Sequence, residues 1–176
     1  VGFMSEPLGL DRLEAVHFSW KLPPVGASKP GSQQVAARVV VAEAQPNGAP
    51  TETVFDSGRV NSSRLELVVD LRSHLRSDTL YIWTVQTWCS HGAHTDPSTS
   101  SPPSLSDPAS FSTGLLHESD WKADWIRGGT QCRREFEIPV ELAVRRVSIF
   151  VAACQYHTLE LDGKGIGQGA LNGPWT

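Results

Sequence analysis

Val16-His17-Phe18-Ser19-Trp20-Lys21-Leu22 places an apolar side chain at every second position, and a period of two returns repeatedly along the chain. Successive side chains of an extended backbone point to opposite sides, so this alternation describes strands with one buried face. Pro23 and Pro24 end the first run. Gln33 to Ala44, rich in valine, forms a second strand and is closed by Pro46-Asn47-Gly48-Ala49-Pro50, where almost every residue favours a turn. A short strand follows near Val54 and Phe55, then a turn at Asp56-Ser57-Gly58, then Arg64 to Asp70 with Leu65, Leu67 and Val69 on one side. Leu80 to Cys89 carries apolar residues on both faces, which is expected of a central strand with Tyr81 and Trp83 toward the core. Ala109 to Thr113, centred on Phe111, completes the series. Several short strands with turn signals between them, and no helical period, predict an antiparallel sandwich of about 100 residues.

The alternation resumes farther on, over Arg134 to Ile138, Arg146 to Ala153 and His157 to Leu161, with Asp162-Gly163 as a tight turn. Only a few strands fit there, whereas an edge-protected sandwich uses about seven or eight, so the second domain reads as truncated. Gly92 to Pro108 is dominated by Ser, Pro, Asp and Thr and is expected to be a long mobile loop. Between the two halves lies FSTGLLHESDWKADWIRGG, in which Trp121 and Trp125 stand four apart. On one helical turn, N-capped by Ser119, they would share a face and bury jointly at a domain junction. Each burial would contribute about 2 to 3 kcal/mol.

Fifteen Lys and Arg against nineteen Asp and Glu leave a net charge of -4, and no basic stripe is visible. Nucleic acid and an anionic membrane are therefore excluded as expected partners. No apolar run is long enough to span a bilayer. Cys89, Cys132 and Cys154 are odd in number, widely spaced and without a C-x-x-C pair, which reads as buried free thiols rather than a disulfide framework or zinc site. The first residues lack the cationic and apolar regions of a secretory signal. The compartment is unread, with a soluble cytoplasmic chain as the default expectation. Asn61-Ser62-Ser63 matches a glycosylation sequon, a pattern of low specificity.

Leu75-Arg76-Ser77-Asp78-Thr79-Leu80-Tyr81 has the L-x-x-x-T-x-Y spacing that resembles the tyrosine corner of fibronectin type III domains. Trp20 stands where such domains place an early core tryptophan. A more specific series runs in order: EPLGLDRLEAVHFSW, VFDSGRVNSS, LRSDTLYIWTVQTW, FSTGLLHESDWKADWI, CRREFEI and LELDGKGIGQGALNGPWT. It resembles the N-terminal region of bacterial-type α-L-rhamnosidases. The resemblance implies an all-β architecture, with a fibronectin type III or immunoglobulin-like sandwich over 1–115. A connector over 116–126 and the start of a jelly-roll sandwich over 127–176 would follow. Farther along, it implies more β-domains and an (α/α)6 barrel that hydrolyses terminal rhamnose. The S-D-W-x-A-x-W-I stretch looks like the connector, which agrees with junction packing of Trp121 and Trp125. Asp162 replaces the Asn usual in the family, Cys154 replaces a common Gly, and the chain stops at Thr176 in mid-domain.

The expected role is thus a non-catalytic accessory region whose partner is the downstream catalytic domain of the same polypeptide, with rhamnose-containing glycans as a further candidate. The rival reading is a free-standing fibronectin type III-like adhesion or protein-interaction module, and a third is a lectin-like sugar module. Glycoside hydrolysis needs two carboxyl groups about 5 to 9.5 Å apart, and no such pair is legible. Asp120 and Asp124 could share a helical face, where acids near a helix start are structural. Gly163, Gly165, Gly167 and Gly169 suggest hairpin turns rather than a phosphate loop, which needs a helix directly after it. His91 and His94 do not make a fixed metal site. No catalytic residue, cofactor or metal ligand is assigned. Trp88, Tyr156 and Trp175 are the candidates for stacking on a sugar ring.

Overall fold

Strand patterning of this kind becomes a sandwich only if the apolar faces find each other, and in the computed structural model they do. The structure describes residues 1–2, 5–22, 33–90, 103–126, 131–153 and 157–169. Among the described residues eight strands lie in the first part: β1 (Val16–Ser19), β2 (Gln33–Ala44), β3 (Pro50–Asp56), β4 (Val60–Asn61), β5 (Glu66–Val69), β6 (Leu80–Ser90), β7 (Ser104–Leu105) and β8 (Ala109–Ser112). β1 pairs antiparallel with β5. The larger sheet runs β3-β2-β6-β7, with β4 on β2 and β8 on β6. β6 is the central strand expected from its two apolar faces, flanked by β2 on one side and by β7 and β8 on the other.

The core lies between the sheets. Val16 and Phe18 of β1, Val39 and Val41 of β2, Tyr81, Trp83 and Val85 of β6, and Phe111 of β8 are buried together. Phe18 meets the edge of Trp83 at 5.0 Å between ring centroids, and Tyr81 stacks on Phe111 at 5.4 Å. Such pairs add about 0.5 to 1.5 kcal/mol to the burial itself. Two expected turns form where the sequence asks for left-handed backbone, at Gly48 (φ 82) and Gly58 (φ 62). In each a side-chain oxygen reaches two residues on, from Asn47 to the Ala49 N–H and from Asp56 to the Gly58 N–H.

The corner predicted from L-x-x-x-T-x-Y is formed. Tyr81 Oη accepts the Arg76 N–H at 2.8 Å, and Leu75 is buried beneath the turn. Trp20 is not the core tryptophan expected of it: it lies past the end of β1, half-buried, while Phe18 occupies the centre. Its indole N–H is instead drawn to Gln34 Oε1 at 2.8 Å. Gln34 is 3% exposed, and its amide donates to the carbonyls of Ser62 and Arg64 at 3.0 and 2.7 Å. One buried amide thus ties β1, β2 and the approach to β5, and its donors and acceptor are all paired.

Part of the expected loop over Gly92 to Pro108 is strand β7, and residues 91–102 lie outside the described residues, His91 and His94 among them. The strands expected over 134–138 and 146–153 do not form; those residues carry no ladder. A period of two specifies a strand only when a partner supplies the other half of its hydrogen bonds, and none of the described residues does so. Phe136, Ile138, Val140 and Val144 are accordingly exposed, Val140 by 98%. Cys132 in the same stretch is exposed rather than buried, Cys89 is half-buried with its thiol pushed up by burial, and Cys154 lies outside the described residues.

The chain divides into a large unit, Val1–Arg146, and a small one, Val147–Thr176. The small unit holds an antiparallel hairpin of β9 (His157–Leu161) and β10 (Lys164–Gly169). Its turn is Asp162-Gly163, both left-handed at φ 49 and 74, the two-residue turn whose twist matches that of paired strands. Among the described residues no helix is long and apolar enough to cross a membrane.

Replacing Tyr81 by Phe keeps the ring in the core and removes one hydrogen bond. It should cost about 1 kcal/mol, lowering the thermal midpoint of the sandwich by about 4 to 8 °C. An unchanged midpoint in a calorimetric scan would show that the corner bond contributes nothing.

Candidate functional site

The turn from Arg76 to Thr79 is where the sandwich takes hold of the chain that follows its last strand. Because Tyr81 fixes the Arg76 N–H, the carbonyls and hydroxyls of the turn have set directions. Thr113, buried just after β8, donates its hydroxyl to Arg76 O at 2.5 Å and accepts the Thr79 N–H at 3.0 Å. Its own N–H reaches Thr79 O at 3.0 Å, and the Asp78 N–H reaches Gly114 O at 3.0 Å. On the other side Gly114 donates to Leu10 O at 2.9 Å. A Cβ at Gly114 would stand 3.1 Å from Gly9 O, a tight contact that glycine avoids at this crossing of backbones.

Beyond Gly114 the exit segment is clasped again. Ser77 Oγ accepts the Leu116 N–H at 2.9 Å and donates to the Asp120 carboxylate, which also accepts the His117 N–H at 3.1 Å. Asp120 can reach back because Glu118–Asp120 is a 3₁₀ turn. His117 caps that turn, not Ser119, and Trp121 is already extended at φ -74, ψ 112. Trp121 and Trp125 therefore do not share a helical face. Three residues are too few to nucleate an α-helix, and the Asp120 carboxylate is engaged across the turn instead. Trp121 is 41% exposed and Trp125 77%. The Ser77 hydroxyl, and after it the His117 and Leu116 N–H groups, hold the Asp120 carboxyl below its ordinary range. A second long-range contact meets the same turn: Arg146 Nη2 donates to Asp78 Oδ1 at 2.8 Å.

Of the sugar-stacking candidates, Trp88 is half-buried, paired across from Ala36, with the Arg59 guanidinium 4.8 Å over its ring. A sugar stacking on that face would have to displace a cation–π contact. Tyr156 and Trp175 lie outside the described residues. An open groove of ≈ 450 Å³ is lined by Trp20, Trp83, Ser5, Ser19, Glu6 and Lys21, among others. Among the described residues that line it, Glu6 alone carries a carboxyl group, where glycoside hydrolysis uses two. Among the described residues no cluster of His, Cys, Asp and Glu could hold a metal ion.

Sequence reasoning passed over Ser77, Asp78 and Thr113, and took Asp120 for a helix-start acid. Ser77 and Asp78 sit inside the corner motif at its unspecified positions, so the signal for the clasp was present only as polar residues in a turn.

The Asp120 carboxyl titrates lower folded than unfolded, so the clasp is complete above the ordinary aspartate value of about 4 and is lost as pH falls through the lower folded value. In an NMR pH titration the Leu116 and His117 amides should shift together with a midpoint below about 4, and Asp120→Asn should abolish that step. A midpoint at or above the ordinary value would mean that no clasp exists in solution.

A family model described as Rha78A-like, N-terminal immunoglobulin domain matches residues 1–117. The chain is 34% identical over 128 residues to an alpha-L-rhamnosidase of Streptomyces avermitilis, covering 72% of this chain and 11% of that protein. To an alpha-L-rhamnosidase of Alteromonas sp. it is 28% identical over 191 residues of alignment, 99% of this chain and 19% of that protein. Among solved structures, S. avermitilis alpha-L-rhamnosidase complexed with L-rhamnose matches with a TM-score of 0.53 at 32% identity, over 72% of this chain and 11% of that one. The chain thus spans 11 to 19% of the length of these relatives. The resemblance read from the ordered segments is borne out, and so is the all-β, immunoglobulin-like sandwich. With the family model matched over residues 1–117, about two thirds of its length, the chain belongs to the family of Rha78A-like N-terminal immunoglobulin domains.

Proposed function

We propose that the chain is a non-catalytic accessory region of an α-L-rhamnosidase-type glycoside hydrolase, and that it supports and orients a downstream catalytic barrel. The observation that carries this reading is the clasped exit of the sandwich. The Ser77 and Thr113 hydroxyls fix the direction in which the chain leaves the domain. A module that served only to bind an external partner has no need of a fixed exit. The relatives are alpha-L-rhamnosidases of which this chain covers a small N-terminal-type share, which agrees with a part that serves the whole.

On this reading residues 116–126 are the connector. Trp121 and Trp125 present exposed indoles beside the anchored turn. Exposed aromatic surface at that place suits packing against the next domain, which would bury about 150 to 250 Å² per indole. The apolar side chains of 131–153, exposed for want of a strand partner, suit completion by further strands of the same polypeptide. The partner is therefore the following domain, and rhamnose-containing glycans are the substrate of that domain rather than of this one.

Incubated with an aryl α-L-rhamnoside, the isolated chain should release no product above the buffer blank. In a longer polypeptide that carries it, deletion of residues 1–117 should lower the thermal midpoint of rhamnosidase activity. Turnover by the isolated chain, or a deletion variant as stable and active as its parent, would defeat the proposal.

A further inference from the structure

Three described residues other than glycine hold positive φ: Glu6, Asp78 and Asp162. Asp162 opens the β9–β10 turn, which demands such an angle. Asp78 has φ 47 in the turn before β6, where glycine would adopt the same backbone without steric cost. What glycine lacks is a carboxylate. That carboxylate accepts from Arg146 Nη2 at 2.8 Å, and the Asp78 carbonyl faces Arg146 Nη1 at 3.5 Å. With its N–H held by Gly114 O, the left-handed backbone turns carbonyl and carboxylate of one residue toward one guanidinium. The planar fork of arginine is suited to two acceptors presented side by side, and a lysine would not meet both.

Arg146 is 68 residues away in the chain and ends a stretch, 131–146, that forms no strand and buries little. The pair is partly shielded, with side chains 32% and 45% exposed. Arg145, its neighbour, makes no ion pair among the described residues. We propose that Asp78 is a docking residue for the stretch 131–146 and that Arg146 is the side chain it receives. The tyrosine-corner turn then holds the chain twice, at Asp120 through Ser77 and at Arg146 through Asp78. This inference rests on the accessory reading and names the contact by which the stretch 131–146 is held to the sandwich.

The test is a distance measurement by pulsed electron paramagnetic resonance on the 176-residue chain with its three cysteines replaced by serine. Spin labels go on Glu52→Cys, exposed in β3, and on Val144→Cys, exposed beside Arg146. The parent should give one narrow distribution. Arg146→Gln and Asp78→Asn should each broaden it about two-fold, and the two together no more than either alone, because both remove one contact. Arg145→Gln, which removes the same charge one position away, should leave the width as it was. Asp78→Gly separates docking from folding: it should broaden the distribution while keeping or raising the thermal midpoint, since the strained backbone is relieved.

A broad distribution in the parent, an unchanged width in Arg146→Gln, or equal broadening by Arg145→Gln would each overturn the inference. So would a combined effect larger than either single one, or an Asp78→Gly effect seen only in step with a lowered midpoint. None of these readouts involves activity, so failure here leaves the accessory reading in place, while failure of that reading appears in the deletion experiment.

Discussion

One hydrogen bond, from the Arg76 N–H to the Tyr81 hydroxyl, decides the geometry of the end of the domain where the chain leaves. A tyrosine with its ring in the core and its hydroxyl at the rim has one place to put that hydroxyl, and the turn five residues back is drawn onto it. With Arg76 held, Thr113 can bond Arg76 O and Thr79 on either side, and β8 is locked beside β6 at its last residue. Ser77 and Asp78 are then displayed outward in fixed directions. The exit segment is held by those two side chains, so a core packing choice is transmitted to the surface through the backbone of a four-residue turn.

A second buried polar group works at the opposite edge. Gln34 accepts from the Trp20 indole and donates to the Ser62 and Arg64 carbonyls, which joins the two sheets where β1 has ended. Buried amides are costly unless every site is matched, and here the matching sets the approach of one sheet to the other. Apolar burial alone would leave that approach free to slide. The aromatic cluster of Phe18, Trp83, Tyr81 and Phe111 supplies the bulk of the core, and the polar contacts supply its register.

The strands of the sandwich were legible because each has a partner within the described chain. Gln33 to Ala44 forms β2 over the predicted span, and the double-faced run from Leu80 lies at the centre of its sheet. The same reasoning failed over 134–138 and 146–153, where equally regular alternation forms no ladder. Alternation states which face of a strand would be buried; it does not state what would bury it. Trp20 was misplaced for a related reason. Phe18 and Trp20 share a face by period, and only the end of the strand at Ser19 leaves Phe18 buried in the core while Trp20 packs half-buried against it with its indole on Gln34.

The candidate site was half visible. The two stretches that meet there, the corner motif and the Trp121–Trp125 segment, were each picked out in the sequence, but not their meeting. Its chemistry did not, because Ser77, Asp78, Thr113 and Asp120 act through partners 34 to 68 residues away, and no local pattern encodes such distances. By itself the sequence determined the strand faces, the left-handed turns at Gly48, Gly58 and Asp162-Gly163, and the presence of a tyrosine corner. Each of these depends on the steric and solvation preferences of a few neighbouring residues. Tertiary structure alone decided which hydroxyls and carboxylates face one another at the exit, because that requires two distant stretches of chain to be held within hydrogen-bond reach by a core that neither of them forms.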